Sequence, residues 1–136
     1  MIGLLIITHG QLAKELLGAA EFIVGAVEAV ECICIDVMED SERLRDTIKK
    51  KIDSLDQGQG VLVLTDMFGG TPSNLALSFL QKDRVEIVTG INLPMVIAIV
   101  QNRKGYSLAE TADMAKTAGQ RSISLASELL KPTQEK

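Results

Sequence analysis

His9 is the only histidine in a sequence of 136 residues, and it stands at the end of an apolar run, directly before Gly10. A carboxylate that accepts a hydrogen bond from Nδ1–H of an imidazole fixes its tautomer and leaves Nε2 as a nucleophile that points outward. Asp66 is the candidate for that carboxylate, and it would also stabilise the cation that forms when Nε2 is substituted. Position alone leaves open the plainer interpretation of His9 as a polar residue at a strand end.

A second candidate site follows Asp66, in Gly69-Gly70-Thr71 before a predicted helix. Bare backbone N–H groups, the positive end of a helix dipole and a hydroxyl are groups that bind phosphate. The signal is weak by itself, because glycines before a helix more often only form a turn and the lysine of a P-loop is missing. The Thr71 hydroxyl also has a competing structural role, since it could cap the helix at the backbone N–H of Asn74.

The residues around His9 exclude several classes of enzyme. Histidine phosphatases carry an arginine directly before the histidine, where this chain has Thr8. One histidine does not make the ligand cluster of a metal hydrolase, and an aspartyl-phosphate receiver needs an acidic pair after its first strand. A serine hydrolase would need a nucleophile elbow. The remaining chemistry is a metal-free relay, without a cofactor, in which an imidazole takes a phosphoryl group from another phosphoamidate and gives it to a third acceptor.

These residues must be positioned by an alternation of short strands and helices. Apolar runs predict strands at residues 2–8, 29–37, 61–65 and 85–89, with helices between and after them. Repeated βα units require right-handed crossovers, so we predict a three-layer, doubly wound α/β fold with a mainly parallel sheet. We expect the strand order 2-1-3-4 in one domain, residues 1–130, followed by a polar tail at residues 131–136.

The topology predicts where a ligand would bind. Ligands of such sheets lie beyond the carboxyl ends of the strands, at the point where the strand order reverses. His9 and Gly10 follow the first strand, residues 66–71 the third and residues 90–92 the fourth. We therefore expect these segments to converge on one crevice, with His9 beside Asp66 because the first and third strands are neighbours.

Local signals predict where several helices begin and end. Asp40 or Ser41 is placed to cap the second helix, and Thr71 is placed to cap the third. Gly119 is the expected terminator of a long helix. Residues 121–126 alternate polar and apolar side chains, which favours a short final strand, while continued helix is nearly as well supported.

Composition excludes further classes of function. The net charge is −4, the isoelectric point is near 5.0, and no basic stripe is available for nucleic acid. The most apolar run, residues 93–100, is roughly half the length that a bilayer requires. Cys32 and Cys34 should point to the same face of a strand, where they suit neither a mutual disulfide nor a zinc site. Their use as free thiols indicates a reducing compartment, hence a cytoplasmic protein.

Three segments, in order, resemble the mannose-type enzyme IIA domain of the bacterial phosphoenolpyruvate-dependent sugar phosphotransferase system. They are Ile7-Thr8-His9-Gly10 after an N-terminal apolar strand, residues 66–74 (DMFGGTPSN) and residues 90–95 (GINLPM). The resemblance covers roughly residues 1–130, and three motifs in the right order make it specific.

The resemblance implies a function, partners and an assembly. The histidine matching His9 receives a phosphoryl group from the histidine-containing phosphocarrier protein, forms a phosphohistidine and passes the group to an enzyme IIB. Asp66 matches the aspartate that orients the imidazole, and Thr71 matches a small hydroxyl residue near the phosphoryl group. Family members are homodimers that exchange a C-terminal strand, which makes residues 121–126 the expected exchanged strand. Contact with the membrane is expected only indirectly, through a transporter complex.

Some features depart from the family pattern or leave alternatives open. Many relatives continue into an enzyme IIB domain, whereas this chain ends at Lys136, so we expect a separate IIB chain and either a stand-alone subunit or an excised domain. Phe68 stands where some members have tryptophan, which we interpret as a tolerated exchange. A regulatory module without sugar transport would have an identical site, and a small-ligand domain without chemistry is a third interpretation. Specificity for a sugar lies downstream in such systems, so no sugar pocket is expected here.

Overall fold

The computed structural model describes residues 1–36, 38 and 40–131; the predicted tail from residue 132 onward and the last position of the predicted second strand, Val37, lie outside the described residues. The central feature is a parallel sheet of four strands, in the order β2-β1-β3-β4, as predicted. The strands are β1 (Gly3–His9), β2 (Val30–Ile35), β3 (Val61–Thr65) and β4 (Val85–Thr89).

Helices cover both faces of this sheet, which confirms the three-layer α/β fold. They are α1 (Leu12–Val24), α2 (Ser41–Leu55), α3 (Thr71–Leu77), α4 (Leu93–Asn102), α5 (Leu108–Arg121) and the short α6 (Ala126–Leu129), with a 3₁₀ turn at Arg103–Gly105. Apolar side chains of α1, α4 and α5 pack on one face of the sheet, and those of α2 and α3 pack on the other. The two inner strands, β1 and β3, are therefore buried on both sides, which explains their nearly continuous apolar sequences.

The helix ends follow some of the predicted signals and not others. The Asp40 side chain accepts a hydrogen bond from the backbone N–H of Glu42 and caps α2 as predicted. The interpretation of Gly119 as a terminator is wrong, because α5 continues to Arg121. Gly119 is buried against α4, where a Cβ atom would lie 2.7 Å from Cε of Met95. Glycine at this position leaves room for the end of the Met95 side chain between α4 and α5, and it does not end the helix.

The helix α1 packs on the sheet through small side chains. Ala13 and Ala20 are fully buried against the sheet, whereas Leu12 and Ile23 are exposed. Small side chains let the helix axis approach the sheet closely, so the larger neighbours at its two ends are left at the surface. Leu12 thereby becomes a surface residue near the carboxyl edge of the sheet.

The C-terminal segment forms neither a strand nor one continued helix within the single chain. After α5 ends at Arg121, the chain passes through residues 123–125 without regular structure, and Leu125 has extended dihedral angles before α6 begins. Among the described residues, β4 forms a ladder only with β3, and apart from one antiparallel bridge between Gln81 and Val85 its outer edge is open. Within the same residues, no helix is both long and apolar enough to cross a membrane.

Candidate functional site

The end of β1 brings His9 to the surface. Residues 2–8 are fully or almost fully buried, and His9 is the first exposed residue of the strand. Thr8 anchors the following helix, because its Oγ1 accepts a hydrogen bond from the backbone N–H of Ala13 at 2.8 Å. Gly10 turns the chain with a φ of +56°, a left-handed value that favours glycine, and its N–H donates to the carbonyl oxygen of Ile35. The imidazole is thus held at a rigid edge of the sheet.

Asp66 lies beside His9 at the end of the neighbouring strand β3. Its Oδ2 accepts a hydrogen bond from the backbone N–H of His9 at 2.9 Å and lies 2.8 Å from Nδ1 of the same residue. Its Oδ1 accepts a hydrogen bond from the backbone N–H of Met67 at 3.0 Å. One carboxylate therefore fixes both the main chain and the ring of His9.

The ionisation of Asp66 determines the tautomer of His9. Burial alone would raise the pKa of this carboxyl group, but the hydrogen bonds from the backbone N–H and the imidazole of His9 outweigh burial and lower the pKa below its usual value. The ionised carboxylate can only accept hydrogen bonds, so Nδ1 carries the proton. In the neutral imidazole Nε2 is then the nitrogen with a free lone pair, and the side chain of His9 is 50% exposed against 12% for Asp66.

Gly70 contacts the imidazole from the other side. A Cβ atom at this position would lie 2.8 Å from Cε1 and 3.2 Å from Nε2 of His9, so any side chain would displace the ring. Gly69, by contrast, has open space around it and a φ of +92°, so glycine is needed there for the backbone conformation. The two glycines predicted as a phosphate-binding pair thus meet different structural requirements.

Thr71 is the first residue of α3 and lines the same cleft as His9. The interpretation of Thr71 as the N-cap is wrong, because Gly70 occupies that position and its carbonyl oxygen accepts the hydrogen bond from the backbone N–H of Asn74. The Thr71 hydroxyl is therefore not committed to capping. The cleft has a volume of about 740 Å³ and also borders the ends of β1 and β2 and the start of α2.

Residues 90–92 do not join this cleft, in contrast to the expectation of a single crevice. The backbone N–H groups of Gly90 and Ile91 donate to the carbonyl oxygen of Thr65, and Asn92 caps α4. Gly90 and Asn92 instead line a separate groove of about 590 Å³ between β4 and α5. Because β4 is two strands away from β1, its carboxyl end lies too far along the sheet to reach His9.

The structure also adds residues that the sequence reasoning missed. Asp36, directly after β2, lines the cleft of His9, and the rule that placed His9 and Asp66 at strand ends would have found it. Four exposed apolar side chains lie on three of the segments that surround the carboxyl edge of the sheet: Leu12, Met38, Met67 and Phe68. We call these four residues the apolar rim.

In the part of the chain that the structure describes, no group of three or more His, Cys, Asp or Glu side chains is placed to hold a metal ion. The site therefore consists of an imidazole, an orienting carboxylate and a neighbouring turn into α3.

Comparison with known proteins decides the family. Residues 3–116 match the family model described as PTS system fructose IIA component, where PTS is the phosphotransferase system. The chain belongs to this family. It is similar to the PTS system mannose-specific EIIAB component of Escherichia coli (strain K12), with 35% identity over 103 residues, which are 75% of this chain and 32% of that protein. The chain thus spans about a third of the length of these mannose-specific relatives.

Other family members match over most of their length. The PTS system fructose-specific EIIA component of Bacillus subtilis (strain 168) is 28% identical over 131 residues, which are 96% of this chain and 90% of the relative. The crystal structure of the PTS IIA protein associated with the fucose utilization operon from Streptococcus pneumoniae superimposes with a TM-score of 0.84 at 33% identity, covering 95% of this chain and 96% of that one. Both of these proteins are described as IIA components of phosphotransferase systems.

Proposed function

We propose that His9 accepts a phosphoryl group on Nε2 as a phosphohistidine and passes it on to another protein. The observation that carries this proposal is the 2.8 Å contact between His9 Nδ1 and Asp66 Oδ2, because in the neutral imidazole it directs the free lone pair to Nε2, at the cleft. The Nε2 lone pair attacks phosphorus, the P–N bond of the donor breaks, and the donor nitrogen leaves with the electron pair. Nδ1 keeps its proton, so Asp66 stabilises the positive ring that results.

Groups at the turn into α3 are proposed to bind the phosphoryl oxygens. The backbone N–H groups around Gly69 and Gly70 and the free hydroxyl of Thr71 are donors next to the imidazole, and phosphoryl transfer depends mainly on positioning and on such electrostatic stabilisation. Because a phosphohistidine donor and a histidine acceptor have similar bonds to phosphorus, the transfer should be nearly balanced in free energy. Catalysis then reduces to orientation of the two imidazoles.

The partners that we propose are proteins: the histidine-containing phosphocarrier protein as donor and an enzyme IIB as acceptor. The apolar rim supports a protein partner, because exposed large apolar side chains on the segments around a reactive site are typical of interaction surfaces. Two of its four members are methionines, whose flexible side chains adapt to different partners. A carrier that meets a donor and an acceptor in turn needs such an adaptable surface.

We also propose that two copies of the chain form a homodimer by exchange of residues 121–126. The residues of β4 border the groove of about 590 Å³, and Ile123 is one of the residues that line it. Ile123 and Leu125 are exposed, and an unpaired strand edge beside exposed apolar residues favours pairing with another chain. A cytoplasmic location completes the proposal, in keeping with the two free cysteines, Cys32 and Cys34.

The function is tested by labelling the chain with the phosphoenolpyruvate-dependent cascade. Wild-type protein is expected to take up one phosphoryl group that is labile in acid and stable in base, and His9→Gln is expected to take up none. Circular dichroism provides the control that the variant is folded, which we expect because the side chain of His9 is half exposed and contributes little to the core. Undiminished labelling of folded His9→Gln would overturn the proposal.

A further inference from the structure

The cleft beside His9 has an unusual charge for a phosphate-handling site. Among the described residues that line it, Asp36 carries the only formal charge besides that of a protonated His9, and no lysine or arginine is present. Sites that bind free phosphorylated molecules commonly use arginine or lysine to neutralise the anion. Here Asp66, which contacts the imidazole, adds a second negative charge.

The fold holds Asp36 close to the reacting group. In the register of β1 and β2, Ile35 is the partner of His9, and the Ile35 carbonyl oxygen accepts the hydrogen bond from Gly10 N–H at 2.9 Å. Asp36 is the next residue and is exposed at the end of β2. Its carboxylate therefore lies at the approach to His9 and not in the core.

A negative charge at this position acts differently on different donors. A small phosphorylated anion that enters the cleft alone meets the field of Asp36 without a lysine or arginine among the described lining residues, so its local concentration and its reaction with Nε2 are reduced. A phosphoryl group that arrives on a protein surface is held by that surface, and basic groups of the donor can face Asp36.

We propose that Asp36 is a specificity residue that excludes small phosphorylated anions from His9 and so restricts the transfer to protein donors. This inference rests on the proposed phosphorylation of His9. It assigns to the end of β2 a role that the His9–Asp66 pair does not supply, since that pair activates the nucleophile towards any donor.

Phosphoramidate is a suitable small donor for the test, because it carries the phosphoryl group on nitrogen as a phosphohistidine does. In the reaction the Nε2 lone pair of His9 forms the new P–N bond, the bond to the amine breaks, and the protonated amine leaves as ammonia. The proton on Nδ1 stays on the ring.

The experiment compares wild type, Asp36→Asn and Asp46→Asn. The Asp46→Asn control removes the same charge from an exposed position on α2 that does not line the cleft. We expect Asp36→Asn to raise the rate of His9 labelling by phosphoramidate on the order of fivefold at low salt, the effect of one charge several ångströms away in water-like surroundings. The gain should shrink at high salt, and labelling by the protein donor should not rise. Asp46→Asn should behave as wild type with both donors.

Binding of inorganic phosphate gives a readout without chemistry. We expect phosphate to shift the Gly10 amide resonance at several-fold lower concentration in Asp36→Asn than in wild type. An unchanged phosphoramidate rate together with unchanged phosphate binding in Asp36→Asn would overturn the role of Asp36, as would an equal gain in Asp46→Asn. If neither the protein donor nor phosphoramidate labels wild-type His9, the proposed function itself fails, which is a different result.

Discussion

At the scale of single residues, one oxygen of Asp66 determines the chemistry of the site. Oδ2 accepts hydrogen bonds from both the backbone N–H and the Nδ1–H of His9. Rotation of the ring or a change of tautomer would therefore break a hydrogen bond to a charged acceptor. Such a bond contributes more in the phosphorylated state, when the ring is cationic, than in the neutral state. The carboxylate therefore favours the product of the first transfer and orients the attack that precedes it.

Asp66→Asn is expected to slow phosphoryl transfer to His9 without removing the acceptor. An amide keeps the shape of the side chain but loses the charge that stabilises the ring cation. We expect a decrease of roughly ten- to a hundredfold, the effect of one hydrogen bond to a charged group, in rapid-quench measurements with the phosphorylated donor. A rate equal to that of wild type would contradict the orienting role.

The same carboxylate predicts a pH dependence of stability. Its pKa in the folded protein is lowered, so its contribution to stability is fully present above its unfolded pKa, about 3.9, and is lost as the pH falls through the lower folded value. The difference in melting temperature between wild type and Asp66→Asn should therefore be present at pH 5 and vanish in strong acid. A difference that grows as the pH falls below 4 would have the wrong sign.

Residue-level prediction from the sequence succeeds where topology alone decides a position. His9 and Asp66 lie together because the ends of adjacent parallel strands meet, and that adjacency follows from the order of elements. The contact of Gly70 with the imidazole depends on the path of a loop, which no periodicity encodes. Asp36 was within reach of the same topological rule, since β2 adjoins β1 on its other side.

At the scale of elements, the loop between β3 and α3 contains two glycines that are needed for different structural reasons. Gly70 has a φ of −87° that alanine can adopt, but the ring of His9 occupies the space of its Cβ. Gly69 has free space but a left-handed backbone. The pair therefore separates the effect of crowding the site from the effect of straining the loop.

Gly70→Ala is expected to slow transfer strongly while it changes the melting temperature little, because the half-exposed imidazole can move away from the new methyl group. Gly69→Ala is expected to lower stability by about 1–2 kcal/mol, the cost of a left-handed conformation for a residue with a Cβ. Denaturant unfolding and rapid-quench transfer, measured on both variants, check this contrast. Equal transfer rates for Gly70→Ala and wild type would show that the ring is not positioned by this contact.

Sequence patterns predict an element poorly where tertiary packing decides the role of a residue. The strands and α2 follow their apolar patterns because burial of those side chains drives their formation. Gly119 matched a terminator by residue type, yet its neighbour Met95 on α4 decides its role. Leu12 is apolar but exposed, because the small residues Ala13 and Ala20 are the ones that α1 buries against the sheet.

At the scale of the whole molecule, the sheet is open on the side of β4. The groove there is bordered by the chain's own C-terminal segment, where Ile123, Leu125, Leu129 and Leu130 are exposed. Monomeric proteins rarely leave so many neighbouring apolar side chains exposed to solvent, so this segment favours contact with another chain. In the proposed dimer, the alternating residues 121–126 would form a strand that pairs with β4 of the second copy.

The proposed exchange predicts that the wild-type protein has the mass of two chains in light scattering and that Ile123→Asp with Leu125→Asp has the mass of one. A charge on either apolar residue would be buried against β4 and α5 of the partner copy, which is costly. Ser124→Asp is the matched control, because an extended strand turns position 124 to the opposite face, and this variant should remain a dimer. A monomeric wild type, or a double variant that stays dimeric, would contradict the exchange.

The central claim is that phosphate resides on Nε2 of His9 while Nδ1 keeps its proton for Asp66. Because the chain has a single histidine, a long-range proton–nitrogen NMR spectrum of protein labelled with ¹⁵N-histidine reports on this one ring without assignment. After incubation with the phosphoenolpyruvate cascade, we predict phosphorus coupling at Nε2 and a protonated Nδ1. An unmodified ring in protein that has taken up phosphate, or coupling at Nδ1, would contradict the account.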